Sequence, residues 1–133
     1  MKITTKEIPI TTNQRTEFKD ITNKIKKQIN IKEGTITIYT PHTTSGITIN
    51  ENESGLVQDM EKILKNLVKK EEWKHDKIDN NADSHLRGML LNTNETIPIK
   101  NGKISLGTWQ SIFFTELDGP RKRKITTTII GKK

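Results

Sequence analysis

Cysteine is absent from the 133 residues. That removes disulfide frameworks, thiolate metal sites and cysteine nucleophiles together. Aromatic side chains make up only 5%, too few for the interleaved stacking surface of a nucleic-acid binder, so a nucleic-acid partner is not expected. No apolar run approaches the roughly 20 residues of a membrane span, and the opening MKITTKEIPI carries no apolar core of the secretory kind. No membrane association is expected, and the location expected is the cytoplasm. The apolar fraction is 30% and the mean hydropathy −0.72, lean for a monomer, so oligomerisation would add needed burial. Histidine occurs three times, and all three lie between positions 42 and 85.

What is present is a length near the commonest domain size, enough for one core, so residues 1–133 are expected to form a single domain. The net charge of +7 is unevenly spread: residues 1–30 hold seven Lys/Arg against three acids, residues 31–119 ten against thirteen, and residues 120–133 six against none. The stretch that holds the histidines is therefore slightly acidic. The basic ends read as a solvated surface with weak attraction for anionic substrates.

Periodicity points to an α+β chain of mostly antiparallel strands, in sandwich-like sheets, with one long helix and one or two short ones. KITTKEIPI at 2–10 and 15–21 read as strands, and Thr22 as the N-cap of a short helix carrying Ile25 and Ile29. TITIYT at 35–40 reads as a strand stopped by Pro41, and GITINE as another. Leu56, Met60, Ile63, Leu64, Leu67 and Val68 mark an amphipathic helix over about 55–70 whose stripe should enter the core. WKHDKIDNNADSH at 73–85 lacks apolar periodicity and reads as a loop, and LRGMLL at 86–91 as a helical turn or a strand. Asn101-Gly102 marks a type I′ hairpin. GTWQSIFFTELD reads as a long strand with Trp109 in the core, DGPR at 118–121 as a turn, and KITTTII as a closing strand.

His42 sits just past a strand end. His75 and His85 flank the polar stretch, with Asp76, Asp79 and Asp83 beside them. Imidazole and carboxylate are the usual transition-metal ligands when thiolates are missing. The spacing is not diagnostic, and the same groups could instead do acid–base work, with an Asp orienting a His. Thr43 and Thr44, followed by Ser45-Gly46, could offer donors to a phosphate, and Arg87 could add a bidentate clamp.

PHTTSGITINENE, DNNADSHLRG, GKISLGTWQSIFF and ELDGPRKRK, in that order, resemble the YjbQ family over essentially the whole chain; Ser45 and Ser84 stand where the family pattern often has Ala. The resemblance implies a β-rich subunit assembled as a homotrimer. It also implies a secondary thiamine-phosphate-synthase-like activity, joining a pyrimidine diphosphate to a thiazole phosphate with loss of diphosphate. It carries over His42, Thr43, Thr44, His75, Asp76, Asn81, Asp83, His85 and Arg87, with Gly107, Thr108, Trp109 and Gln110. At 133 residues the chain is too short to be a (β/α)₈ barrel, the fold of ordinary thiamine-phosphate synthases, so any shared chemistry must be argued from the site. Two versions of that site are open: a His42/His75/His85 centre for zinc or magnesium, or a phosphate pocket of imidazoles with Thr43, Thr44 and Arg87. A metal-dependent phosphate-ester hydrolase and a non-catalytic module for phosphorylated metabolites are the other classes.

Overall fold

A computed structural model describes residues 1–133. Eight strands run in the order β1 (Lys2–Thr11), β2 (Glu17–Asp20), β3 (Glu33–Tyr39), β4 (Ser45–Asn50), β5 (Asn94–Lys100), β6 (Lys103–Ile104), β7 (Ser111–Glu116) and β8 (Lys122–Lys132). Helix α1 (Thr22–Lys26) follows β2, and α2 (Ser54–Leu67), a 3₁₀ turn (Lys74–Lys77) and α3 (Ala82–Met89) lie between β4 and β5. All pairings are antiparallel, in a five-stranded sheet of order β1-β8-β3-β5-β6 and a three-stranded sheet of order β2-β7-β4. The α+β class with sandwich-like sheets is therefore the one that the alternating pattern indicates.

The two sheets enclose one cluster of 14 buried residues, all isoleucine except Phe114. A β-branched side chain fits the pleat and keeps few rotamers, so a lean sequence can still build an ordered core from it. Ile36 and Ile38 of β3, Ile97 and Ile99 of β5, and Ile125 and Ile129 of β8 all point inward at period two. β7 is covered on both faces: Ile112 and Phe114 enter the cluster, while Phe113 packs edge-to-face on Phe18 of β2 with ring centroids 5.8 Å apart. Asn101 and Gly102 both have positive φ, 51° and 76°, as a type I′ turn requires. No helix is long and apolar enough to cross a membrane.

Several elements differ from their sequence reading. α1 begins after Ile21; Asp20 Oδ1 accepts the Thr22 N–H at 2.9 Å, while the Thr22 hydroxyl accepts from Ile112 N. That helix stops at Lys26, short of Ile29. α2 is capped by the Glu53 carboxylate, which accepts from Gly55 N and Leu56 N. Its apolar stripe does not all enter the core: Leu64 and Val68 are buried, but Ile63 is 55% and Leu67 65% exposed. The helix leans on the short edge strand β2, which is too narrow to cover the whole stripe. The stretch 73–85 is not a plain loop, because the 3₁₀ turn and the first half of α3 fall in it. Only Ser111–Glu116 of GTWQSIFFTELD is strand, and Trp109 is not core but 73% exposed on a turn.

Candidate active site

At its C-terminal end β7 delivers Glu116, wholly buried, into a full set of donors. Thr12 Oγ1 donates to Oε1 at 2.7 Å and Arg123 Nε to the same oxygen at 2.9 Å. Leu117 N and Asp118 N both donate to Oε2 at 3.1 Å, and Arg123 NH2 joins them there. Burial alone would push this carboxyl up; the Arg123 and Thr12 hydrogen bonds and the Asp118 N–H outweigh it and hold it below the usual range. Arg123 NH2 also donates to Thr44 Oγ1 at 2.9 Å, so the Thr44 hydroxyl is committed to this layer.

His42 lies above it. Pro41 ends β3, and the imidazole then takes the place of the next strand carbonyl: its Nε2 accepts the Lys124 N–H of β8 at 3.0 Å. An acceptor nitrogen carries no proton, so the neutral ring holds its proton on Nδ1. Burial, then the charge of Arg123, lowers the tendency of His42 to protonate. Thr43 remains exposed. The Thr43 carbonyl lies against Gly88, where an added Cβ would meet it at 2.9 Å, so the His42 turn packs directly on α3.

α3 is held to the body by charge. Asp83, buried, receives Arg15 on both oxygens at 3.2 and 3.0 Å and Arg87 NH1 at 3.1 Å, with Lys70 Nζ at 3.9 Å. Desolvation pushes the Asp83 carboxyl up, but the Arg15 hydrogen bond and the charges of Arg15, Arg87 and Lys70 bring it below its ordinary value. Arg87, also buried, donates Nε to Leu64 O, which also accepts the Val68 N–H, and NH2 to Val68 O, so it ties down two carbonyls at the end of α2. Asp83 and Arg87 thus join α3 to α2; they are committed to the scaffold and do not face a ligand. The Ser84 hydroxyl ties α3 to Leu117 O at 2.5 Å, and Asp76 Oδ1 accepts the Ala82 N–H at 2.9 Å, capping the helix start.

On this scaffold sits an imidazole pair. The His75 and His85 rings meet edge to face with centroids 4.7 Å apart, both half-buried. His75 Nε2 is 3.1 Å from Asn81 Oδ1 and 3.8 Å from Asp79 Oδ2. Asn81 Nδ2 donates to Asp118 Oδ2 at 2.8 Å, and Arg121 grips Asp118 through NH2 on the same oxygen and Nε on its carbonyl.

His75, His85, Asp76 and Asn81 are therefore brought together; Thr44 belongs to the Glu116 layer, joined to that group through segment 116–118, while the His42 ring is bonded to Lys124 N of β8. The three imidazoles are not grouped around one point: no three His, Asp or Glu side chains could hold a metal ion together, and His42 Nε2 is already occupied. The residues of a single chain thus do not fit the zinc or magnesium centre expected from the histidines. Gly107, Thr108 and Gln110 form an exposed turn closed by Gly107 N on Gln110 Oε1 and by Gln110 N on Gly107 O. That turn opens β7 whereas Glu116 ends it, about 17 Å apart along six residues, so within one chain it does not reach the pair. Arg15, Lys70, Glu116, Asp118, Arg121 and Arg123 were not singled out from sequence. A signal existed for two of them: Arg123 shares the inward parity of Ile125, Thr127 and Ile129, and Glu116 closes the apolar run IFF, so a buried pair was legible there.

A family model described as UPF0047 protein YjbQ-like matches residues 6–132. A UPF0047 protein of Methanothermobacter thermautotrophicus is 46% identical, over 99% of this chain and 95% of its own length. UPF0047 protein YugU of Bacillus subtilis is 35% identical over 95% and 98%. Among solved structures, a YbjQ-like protein of unknown function from Sulfolobus solfataricus P2 superposes with a TM-score of 0.95 at 38% identity, covering 98% of this chain and 99% of that one. The chain belongs to the YjbQ-like UPF0047 family.

Proposed function

We propose that the chain is a transferase acting on phosphorylated small molecules, in a thiamine-phosphate-synthase-like reaction that is a secondary activity, with His75 and His85 as the reacting pair. The observation that carries this reading is the imidazole pair itself: two half-buried rings 4.7 Å apart, presented on a polar scaffold in which every buried side-chain donor and acceptor is satisfied. A rigid, fully bonded support of that kind is what a preorganised site needs. In the reaction the bond between the pyrimidine methylene carbon and the diphosphate oxygen breaks, the electron pair leaves with the diphosphate, and the thiazole nitrogen forms the new C–N bond. A ring N–H of the pair can donate to the departing diphosphate. Thr43, on the turn that packs against α3, and Arg121, which holds Asp118, are both exposed and could add donors for phosphate oxygens.

The chain as we read it works as a closed homotrimer. Leu67, Met89 and Leu90 are exposed beside Val68, Trp73 and Leu86, around a groove of about 530 Å³. That surface is more apolar than a lean monomer should leave in water. A neighbouring subunit would also supply what one chain places too far away, the turn of Gly107, Thr108, Trp109 and Gln110.

The test is turnover of the pyrimidine diphosphate and thiazole phosphate by purified protein, with and without chelator, followed as diphosphate release. Wild type should turn over, and His75→Gln with His85→Gln should lower the rate about 100-fold or more. Equal rates in wild type and the double variant would sink the assignment. Inorganic phosphate released from simple esters would favour a metal-dependent hydrolase instead, and stoichiometric binding without turnover a binding module.

A further inference from the structure

We propose that Asn81 and Asp118 are positioning residues that set the tautomer of His75, so that Nε2 carries the proton and Nδ1 is the nitrogen offered to a substrate. The reasoning starts at the far end of the chain of bonds. A carboxylate can only accept, so Asp118 Oδ2, 2.8 Å from the Asn81 side chain, must face its NH₂ group. The amide is thereby oriented, and its oxygen is turned to His75 Nε2 at 3.1 Å. An amide oxygen also only accepts, which requires a proton on Nε2. The flipped amide would set oxygen against carboxylate at one end and NH₂ against N–H at the other. Asp79 Oδ2, 3.8 Å from the same nitrogen, is a second acceptor on that side.

Asp118 cannot easily turn away. Arg121 NH2 holds its Oδ2 at 2.9 Å, Arg121 Nε holds its carbonyl at 2.7 Å, and its own N–H is committed to the buried Glu116. The orientation therefore runs from a wholly buried ion pair, through the 116–118 segment, to one imidazole at the surface. Asn81, one of the positions that the family resemblance carries over, thus orients a ring. The tautomer stands on geometry alone; its use in turnover rests on the reading under Proposed function.

The experiment is long-range ¹⁵N–¹H correlation on full-length protein with ¹⁵N-labelled histidine, at a pH where the rings are neutral. Wild type should show His75 with Nε2 in the protonated and Nδ1 in the unprotonated range. Asn81→Leu removes the acceptor and should move His75 toward a mixture of tautomers, and Asp118→Asn, which frees the amide to flip, should do so in part. His42 should show the opposite tautomer, because its Nε2 is an acceptor, and so serves as an internal reference. Wild-type His75 protonated on Nδ1 would overturn the proposal without any variant, and so would an unchanged His75 pattern in folded Asn81→Leu. In the turnover assay Asn81→Leu should lower kcat about 100-fold with KM little changed, a split that a merely structural residue would not give. If wild type has the expected tautomer but no turnover, the proposed reaction fails while the relay stands; a wild-type rate in Asn81→Leu with the tautomer lost would overturn the role of the relay.

Discussion

Replacing Glu116 by Gln tests the buried layer beneath the site. The carboxylate is wholly buried and accepts five hydrogen bonds, two on Oε1 and three on Oε2. An amide has only one oxygen, so wherever its NH₂ group turns it meets at least two donors, and buried Arg123 loses its counter-charge. Removing one partner of such a pair costs about 3–5 kcal/mol. In a domain of this size each kcal/mol shifts Tm by roughly 3–4 °C, so the expected loss is on the order of 10–20 °C. Glu116 is held below its ordinary range in the fold. Its contribution is therefore present above the unfolded-chain value of about 4.3 and is lost as pH falls through the folded value. The gap in Tm between wild type and Glu116→Gln should be full at pH 7 and narrow on acidification below about pH 4. Adding Arg123→Met to Glu116→Gln should recover part of the loss, since the stranded cation is gone. Calorimetry and urea unfolding across pH 3–7 measure each term. A single variant within about 1 kcal/mol of wild type, or strictly additive effects, would refute the reasoning.

Gly131→Ala should be poorly tolerated, because the new Cβ would lie 2.0 Å from Glu33 O and 2.5 Å from Ile31 Cδ1, forcing β3 and β8 apart; urea unfolding should show a loss of about 1–3 kcal/mol or more. Gly102→Ala meets open space, and only its φ of 76° opposes it, so about 1 kcal/mol is expected there. His42 resists protonation in the fold, so wild type should lose stability as pH falls below about 6.5, where the unfolded chain takes up the proton first. His42→Gln, which keeps an acceptor for Lys124 N, should lack that slope between pH 7 and 5, and identical Tm profiles would contradict the assignment.

The strands were legible because each is a local pattern. TITIYT and KITTTII alternate, Pro41 cannot continue a ladder, and Asn-Gly tolerates positive φ wherever it stands. The imidazole pair was half legible: clustered histidines among Asp and Asn indicate a polar site, yet whether rings 10 or 33 positions apart meet depends on chain reversals that spacing does not encode. His75 and His85 met because the 3₁₀ turn carries one and the first turn of α3 the other, and α3 was obscure because it is started and anchored by polar groups, Asp76, Asp83, Ser84 and Arg87, instead of an apolar stripe.

By itself the sequence determined the class of fold, the isoleucine core at period two, and the family, since these rest on residue order alone. Tertiary structure decided the partners. Thr44 and Arg87 look like phosphate donors in a string of letters, but a donor serves a ligand only if the fold leaves it exposed and unpaired: Thr44 is buried with Arg123 donating to its hydroxyl, and Asp83 and the end of α2 take the donors of Arg87. It likewise decided that Trp109 and Leu67 face outward, because burial is a property of the surfaces that meet, and β2 and the Gly107–Gln110 turn leave those side chains without one.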